Sequence, residues 1–330
     1  MSDERRGIPK ISFIIPVRDD AVRLRHCLST ILANRYPPSC LEIVVVDNGS
    51  RDESVCVAKD AGASVLVVPG ISVSGLRNRG AAAASGEIFA FIDADHEIVA
   101  NWAEIAAELL SQDEQVAAVG ALCAAPRDGT WVQRSYDLLR RRPSERRDVE
   151  WLGTGNMAVR RRAFEAVGGF DVGLQTCEDV DLCRRLRTRG FRIVEDPRLR
   201  NVHFGDPATL AALFWGELWR GRDNLRASLK GRVTLREVPS IAMPVANLAL
   251  LGIGLAGVAT LSGTGLLWAG FGFGGVLCGA AARALRMMSH STRFTVLGSA
   301  QAMAVAMAYD VARALALVRG GSHATRSRGR

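Results

Sequence analysis

Between Pro239 and Ala282 the chain carries no acidic or basic residue. Two apolar stretches, Ser240 to Leu261 and Leu266 to Ala282, flank the short turn "SGTG". Since about 20 such residues cross a bilayer, the pattern predicts a transmembrane helical hairpin over 239–282. A third apolar segment, Phe294 to Val318, contains Asp310 and Arg313, so it either spans or lies along the interface. Arginines in the 283–293 stretch and in the tail "HATRSRGR" assign both to the cytoplasmic side. A hairpin plus an interfacial helix meets that charge placement.

The rest of the chain differs in kind. Residues 1–238 are charged and mixed, so three parts are expected: a cytosolic domain over 1–238, the hairpin over 239–282, and a basic loop, third apolar helix and basic tail over 283–330. At 330 residues there is chain enough for a real core. The polar start "MSDERRGIPK" and the short apolar run after it give no signal-peptide core. Seven cysteines, odd in number and without zinc-ligand or CxxC spacing, read as reduced thiols. The formal net charge of +8 suits nucleic acid, a membrane face or an anionic substrate. Because basic runs flank the apolar helices, the membrane is favoured and nucleic acid is not expected. A further arginine run, "RRRPSERR" within 126–148, reads either as a solvated loop or as a lid over an anionic substrate.

In the first quarter, "ISFIIPV", "LEIVVVD", "SVLVVPG" and "EIFAFID" are β-branched-rich runs bounded by turn residues, as strands covered on both faces are. Helical patterns lie between them, at Ala21–Asn34, Asp52–Gly62 and Ser74–Ser85. Alternating strand and helix predicts an α/β fold, in which ligands bind beyond the carboxyl ends of the strands. Pro16 to Asp19, Asp47, Asp93 and Asp95 all fall on that edge. Ser50 with Glu53 has the spacing of a capping box for the second helix, as Thr176 with Asp179 has for a later one. No GxGxxG follows the first strand and no Walker A motif occurs, which argues against a dinucleotide oxidoreductase or a P-loop enzyme.

Two carboxylates one residue apart at a strand end can reach one hard cation, which takes oxygen ligands and keeps waters and substrate phosphates; one aspartate would suffice to cap a turn. At this point the chain resembles a family. "FIIPVRDD", "VVVDNGSRDES", "GLRNRGAAAASGEIFAFIDAD", "GNMAVRRRAFEAVGGFD" and "EDVDLCRRLRTRGFRI" look like the successive motifs of glycosyltransferase family 2, in order, over about Ile11 to Pro197.

The resemblance implies a GT-A nucleotide-diphospho-sugar transferase fold, with a mixed, mostly parallel sheet, followed by C-terminal transmembrane helices. It implies that Pro16, Val17 and Asp47 hold the base and ribose, and that Arg77 and Asn78 lie beside the diphosphate and sugar. Asp93 then contacts ribose or sugar, Asp95 binds the metal, and the Glu178–Asp179 pair is catalytic with Asp179 as general base. A helix N-terminus would lower the Asp179 pKa, whereas burial would raise it. Asp181 reads as solvent-facing or paired with Arg184 or Arg185, and His203 as either structural or a further metal ligand. Relatives use Mg2+ or Mn2+. The Q-x-x-R-W motif of processive synthases is absent, and "WGELWRGRDN" does not replace it.

The expected activity is therefore inverting transfer of a sugar from a nucleotide-diphosphate donor to a hydroxyl of a lipid-linked or envelope glycan. The site would face the cytoplasm from a multi-pass inner-membrane anchor. The competing expectation is a membrane-anchored nucleotide-sugar-binding subunit without catalysis.

Overall fold

The computed structural model describes residues 7–141, 145–223, 238–290 and 295–319. The chain forms two compact units. One comprises Met1–Ala124 with Arg142–Gly205, and the other Ala125–Arg141 with Asp206–Arg330. By packing, the first unit thus closes at Gly205, ahead of the compositional break near Pro239.

In the first unit the apolar runs become β1 (Ile11–Val17), β2 (Leu41–Asp47), β3 (Ser64–Val67) and β4 (Ile88–Ile92). Then come β5 (His96–Glu97), β6 (Val116–Gly120), β7 (Arg147–Asp148), β8 (Asn156–Arg160), β9 (Arg192–Glu195) and β10 (Val202–His203). Eight strands make one sheet in the order β3-β2-β1-β4-β8-β6-β9-β7, and β5 pairs with β10 in a second, small one. Strands β1 to β4 are parallel, as is the β6–β9 pair. Strand β8 runs antiparallel to β4 and β6, and β7 antiparallel to β9. The sheet is mixed and mostly parallel, as expected.

The helices of this unit are α1 (Ala21–Leu32), α2 (Ser54–Asp60), α3 (Val73–Ala83), α4 (Trp102–Gln112), α6 (Arg161–Ala166) and α7 (Glu178–Thr188), with α5 (Trp131–Arg140) lying in the other unit. Because side chains alternate along a strand, Ile11, Phe13, Ile15 and Val17 of β1 pack with α1, α2 and α4. Ile14 packs on the opposite face with α3, α6 and α7. Gly80 of α3 sits where an added Cβ would press on Ile14 and Val46, which lets the helix lie close on β1 and β2.

Two predicted helix starts are corrected. Helix α2 begins at Ser54 without a side-chain cap from its first flanking residue; Asp52 accepts from the Ser54 amide and hydroxyl instead, and Ser50 Oγ accepts from the Asp19 amide. Helix α7 begins at Glu178 after Cys177, which adopts a left-handed conformation with φ 61° and gives no side-chain cap. That turn geometry replaces the Thr176–Asp179 box.

The second unit is helical: α5, α8 (Leu210–Arg220), α9 (Val238–Ala259), α10 (Gly263–Ser289) and α11 (Val296–Arg319). Helices α9, α10 and α11 are long and apolar enough to cross a membrane by length and composition. Ser262 caps α10 by accepting from the Gly265 amide. Small residues bring α9 and α10 close, as in membrane helix pairs. A Cβ on Gly257 would meet the backbone of Gly265 and Ala269, and one on Gly272 that of Leu250 and Gly254.

Part of the stretch expected as a loop or lid is helix α5, opened by a capping box between Thr130 and Gln133. Its Val132 and Tyr136, with Leu213 of α8, pack on Ala280, Ala284, Met287 and Met288 of α10 and on Ala302, Val305 and Ala306 of α11. Arg283, expected on a loop, lies in α10 and pairs with Asp310 of α11 at 2.7 Å. Arg142 to Ser144, Asn224, Arg293, Phe294 and the basic tail lie outside the described residues.

Candidate active site

The carboxyl edge of the large sheet gathers the predicted residues. Pro16 and Val17 end β1, and Asp47 ends β2. The loops after these strands are tied together, since the Arg51 amide donates to Asp19 Oδ1 and the Asp19 amide to Ser50 Oγ. Asp47 is 1 % exposed; its Oδ2 accepts from the amides of Gly49 and Ser50, while its Oδ1 has no protein donor among the described residues. A buried carboxylate oxygen without a donor is costly, so this one is suited to accepting from a ligand.

Strand β4 ends at Ile92, and the chain turns at once, the His96 amide donating to the Asp93 carbonyl. This turn presents Asp93 and Asp95 on one side of the edge. Asp93 Oδ1 accepts from Arg77 Nη2 at 2.6 Å. Arg77 is 3 % exposed and also donates through Nη1 to Glu178 Oε1 at 2.7 Å. One buried guanidinium therefore ties α3 to the end of β4 and the start of α7. Asn78 is spent within the protein: its amide group donates to the Phe170 carbonyl and its Oδ1 accepts from the Phe170 amide.

Asp179 follows Glu178 in the first turn of α7. Its pKa is pushed up to about 7, by burial first and by the neighbouring Glu178 second, against the pull of the Val180 amide and Arg77. Burial thus outweighs the helix N-terminus, the balance that sequence left open. Asp181, four residues before Arg185, is buried and paired with it at 2.8 Å, not solvent-facing.

His203 reaches this edge through the small sheet, in which it pairs in register with His96. The two imidazoles stack with centroids 4.4 Å apart. His203 Nε2 lies 3.2 Å from Asp95 Oδ2, and His96 Nδ1 lies 3.0 Å from Asp95 Oδ1. Burial alone would raise the Asp95 pKa, yet the hydrogen bonds from His203 and His96 outweigh it and hold the carboxyl well below the usual range. The ligand atoms of Asp95, His96 and His203 lie within 4.8 Å of one another. Gly205 keeps the approach clear, since a Cβ there would collide with Asp95 Oδ2 and lie 2.8 Å from His203 Nε2. A carboxylate with imidazole nitrogen is a donor set that holds divalent metals, so Asp95 with His203 fits one. His96 was not singled out in the sequence, although its place directly after the aspartate pair was a signal.

A sheet edge of this kind, with paired aspartates, a buried arginine and an acid at a helix start, defines a nucleotide-sugar transferase of GT-A type. Residues 12–168 match the profile described as Glycosyl transferase family 2, so the chain carries a glycosyltransferase domain of that description. It is 28 % identical over 252 residues to the glycosyltransferase AglE of Haloferax volcanii, covering 72 % of this chain and 80 % of that protein. It is 30 % identical over 227 residues to the O-antigen biosynthesis protein RfbC of Myxococcus xanthus, of which it spans only 17 %. Among solved structures, the mannosyltransferase PcManGT from Pyrobaculum calidifontis, in complex with GDP-Man and Mn2+, superposes with a TM-score of 0.61 at 21 % identity. That match covers 91 % of this chain and 87 % of the other and speaks for the fold.

Proposed function

We propose that the protein is an inverting, metal-dependent hexosyltransferase. It takes a sugar from a nucleotide-diphosphate donor and gives it to a hydroxyl of a lipid-linked or envelope glycan at the cytoplasmic face of the inner membrane. The observation that carries this reading is Asp179, a half-buried carboxyl with a pKa pushed up to about 7, because a general base works best when its pKa lies near the working pH.

The acceptor oxygen attacks the anomeric carbon from the face opposite the leaving group. As that bond forms, Asp179 takes the hydroxyl proton, and the bond from the anomeric carbon to the diphosphate oxygen breaks with its electron pair going to the diphosphate. Inversion follows from attack on the opposite face. Asp47 is assigned to the base, with Pro16 and Val17 beside it, and Asp93 to the ribose or sugar through the oxygen that Arg77 leaves free. Asp95 and His203 would hold the divalent cation, whose positive charge stabilises the departing diphosphate. An imidazole ligand favours Mn2+ over Mg2+, which takes oxygen donors; the Mn2+ in the PcManGT complex supports the same choice.

The topology we propose keeps the hairpin over 239–282 as the spanning part, with 1–238 and 283–330 on the cytoplasmic side. Two features support it. Asp310 pairs with Arg283, and Arg283 is the first charge after the uncharged stretch, so Asp310 sits level with the end of that stretch. The first half of α11 is also clothed by α5 and α8, which makes it unlike a helix bathed in lipid.

The test is a screen of nucleotide-sugars for thermal stabilisation of the purified chain with and without Mn2+, since a ligand of the folded state raises the melting temperature. One donor should stabilise in a Mn2+-dependent way, and EDTA should abolish transfer of its sugar, with Mn2+ restoring it better than Mg2+. Stabilisation and transfer unchanged in EDTA would remove the metal from the mechanism. Donor binding without hydrolysis or transfer to any acceptor would favour the non-catalytic subunit.

A further inference from the structure

We infer that His96 is a positioning residue that holds the Asp95 carboxylate from outside the metal site, and is not itself a ligand. The inference rests on the metal reading above and deepens it.

His96 is 3 % exposed, and both of its ring nitrogens are engaged by side chains. Nδ1 faces Asp95 Oδ1 at 3.0 Å, and Nε2 faces the Cys123 thiol at 3.4 Å. The Cys123 thiol and the backbone at Gly155 close off Nε2, and Nδ1 is turned onto Asp95 Oδ1, whereas His203 Nε2 and Gly205 lie beside the other oxygen, Oδ2. A cation held at Oδ2 therefore meets His203, and reaching a nitrogen of His96 would mean displacing a buried partner.

The surroundings hold the ring in this pose. One face stacks on His203 at an interplanar angle of 13°. The chain passes the ring at Gly155, where a Cβ would lie 2.7 Å from His96 Cε1 and 2.8 Å from its Nε2, so a larger residue there would displace it. Backbone pairing of β5 with β10 fixes His96 opposite His203. With Oδ1 held by His96, Asp95 is left with Oδ2, the oxygen beside His203 Nε2, for the cation. Ligating carboxylates are commonly oriented in this way by an outer hydrogen bond, and losing such a partner costs about 10- to 100-fold in metal affinity.

The experiment uses the full chain in detergent with Mn2+ alone as the probe. Free Mn2+ is counted by electron paramagnetic resonance, and nitrogen ligands by pulsed measurement on the bound ion. The wild type should show coupling to one imidazole nitrogen, lost in His203→Ala. His96→Leu should keep that coupling and bind Mn2+ about 10- to 100-fold more weakly. His96→Asn, whose side-chain amide can still donate toward Asp95, should recover most of the affinity while melting like the wild type. Two coupled nitrogens in the wild type, or wild-type affinity in His96→Leu, would overturn the inference. Failure of the metal reading looks different: Asp95→Asn and His203→Ala would then leave Mn2+ binding unchanged.

Discussion

Asp179 takes a proton in the proposed reaction, and its surroundings fix the pH at which it can do so. Only the ionised form accepts, so turnover should rise with pH through about 7 and level off above it. Asp179→Asn should keep donor affinity and lose about 10²- to 10⁴-fold in turnover; a variant that transfers sugar within a few-fold of normal would remove Asp179 from the role. The same group acts on stability. Its folded pKa stands above the ordinary 3.8, so its contribution is fully present below that value and fades as pH rises to about 7. Melting of Asp179→Asn should accordingly vary less between those limits than melting of the wild type. Glu178 raises the Asp179 pKa and is itself held by Arg77. Glu178→Gln keeps an acceptor for Arg77 and removes the charge, so the acid limb of the turnover profile should move to lower pH. An unmoved limb would show that Glu178 does not tune its neighbour. At this scale the sequence was legible where a residue's place follows from the end of a strand, as with Asp47, Asp93 and Asp95. For His203 the sequence offered a ligand's part or a structural one and could not choose, because a distant backbone pairing decides the place: the β5–β10 register sets His203 against Asp95, and contact with Asp95 and Cys123 gives His96 its part.

Among the elements, strands β1 to β4 were readable because burial on both faces leaves unbroken apolar runs, with turn residues where those runs stop. Helix α5 was passed over although its capping box stands in the sequence as Thr130 and Gln133. Its apolar residues, Val132 and Tyr136 among them, make sense as one face only when a partner surface is known, and the neighbouring arginines suggested a solvated loop. The start of α7 was misread for a related reason, since the box spacing was present but the left-handed turn at Cys177 aims the chain differently. The α9–α10 hairpin was legible from its missing charges, though its contact surface was not. That surface predicts an effect. Gly272→Leu places a side chain against the backbone of Leu250 and Gly254 and should destabilise by about 1–3 kcal/mol, as overpacking does, read as a lower melting temperature in detergent.

For the whole molecule, the proposed topology predicts that reporter fusions at Arg330 and at the Ser262 turn report opposite compartments. A C-terminus on the far side would mean that α11 crosses, carrying the Asp310–Arg283 pair into the bilayer at some energetic cost. The order of the chain through its two units has a practical consequence. The first unit is built from two pieces, Met1–Ala124 and Arg142–Gly205, and the stretch between them belongs with the helices. A stop codon after Gly205 therefore does not release a soluble catalytic fragment: it strands α5, with Val132 and Tyr136 stripped of their covering, in the middle of the truncated gene product. Expression of 1–205 should yield aggregate, whereas the same fragment with 126–141 replaced by a short glycine–serine bridge should stay in solution. Secretion-style truncation, the usual way of freeing an enzyme from its anchor, calls here for an internal excision as well as a shorter end.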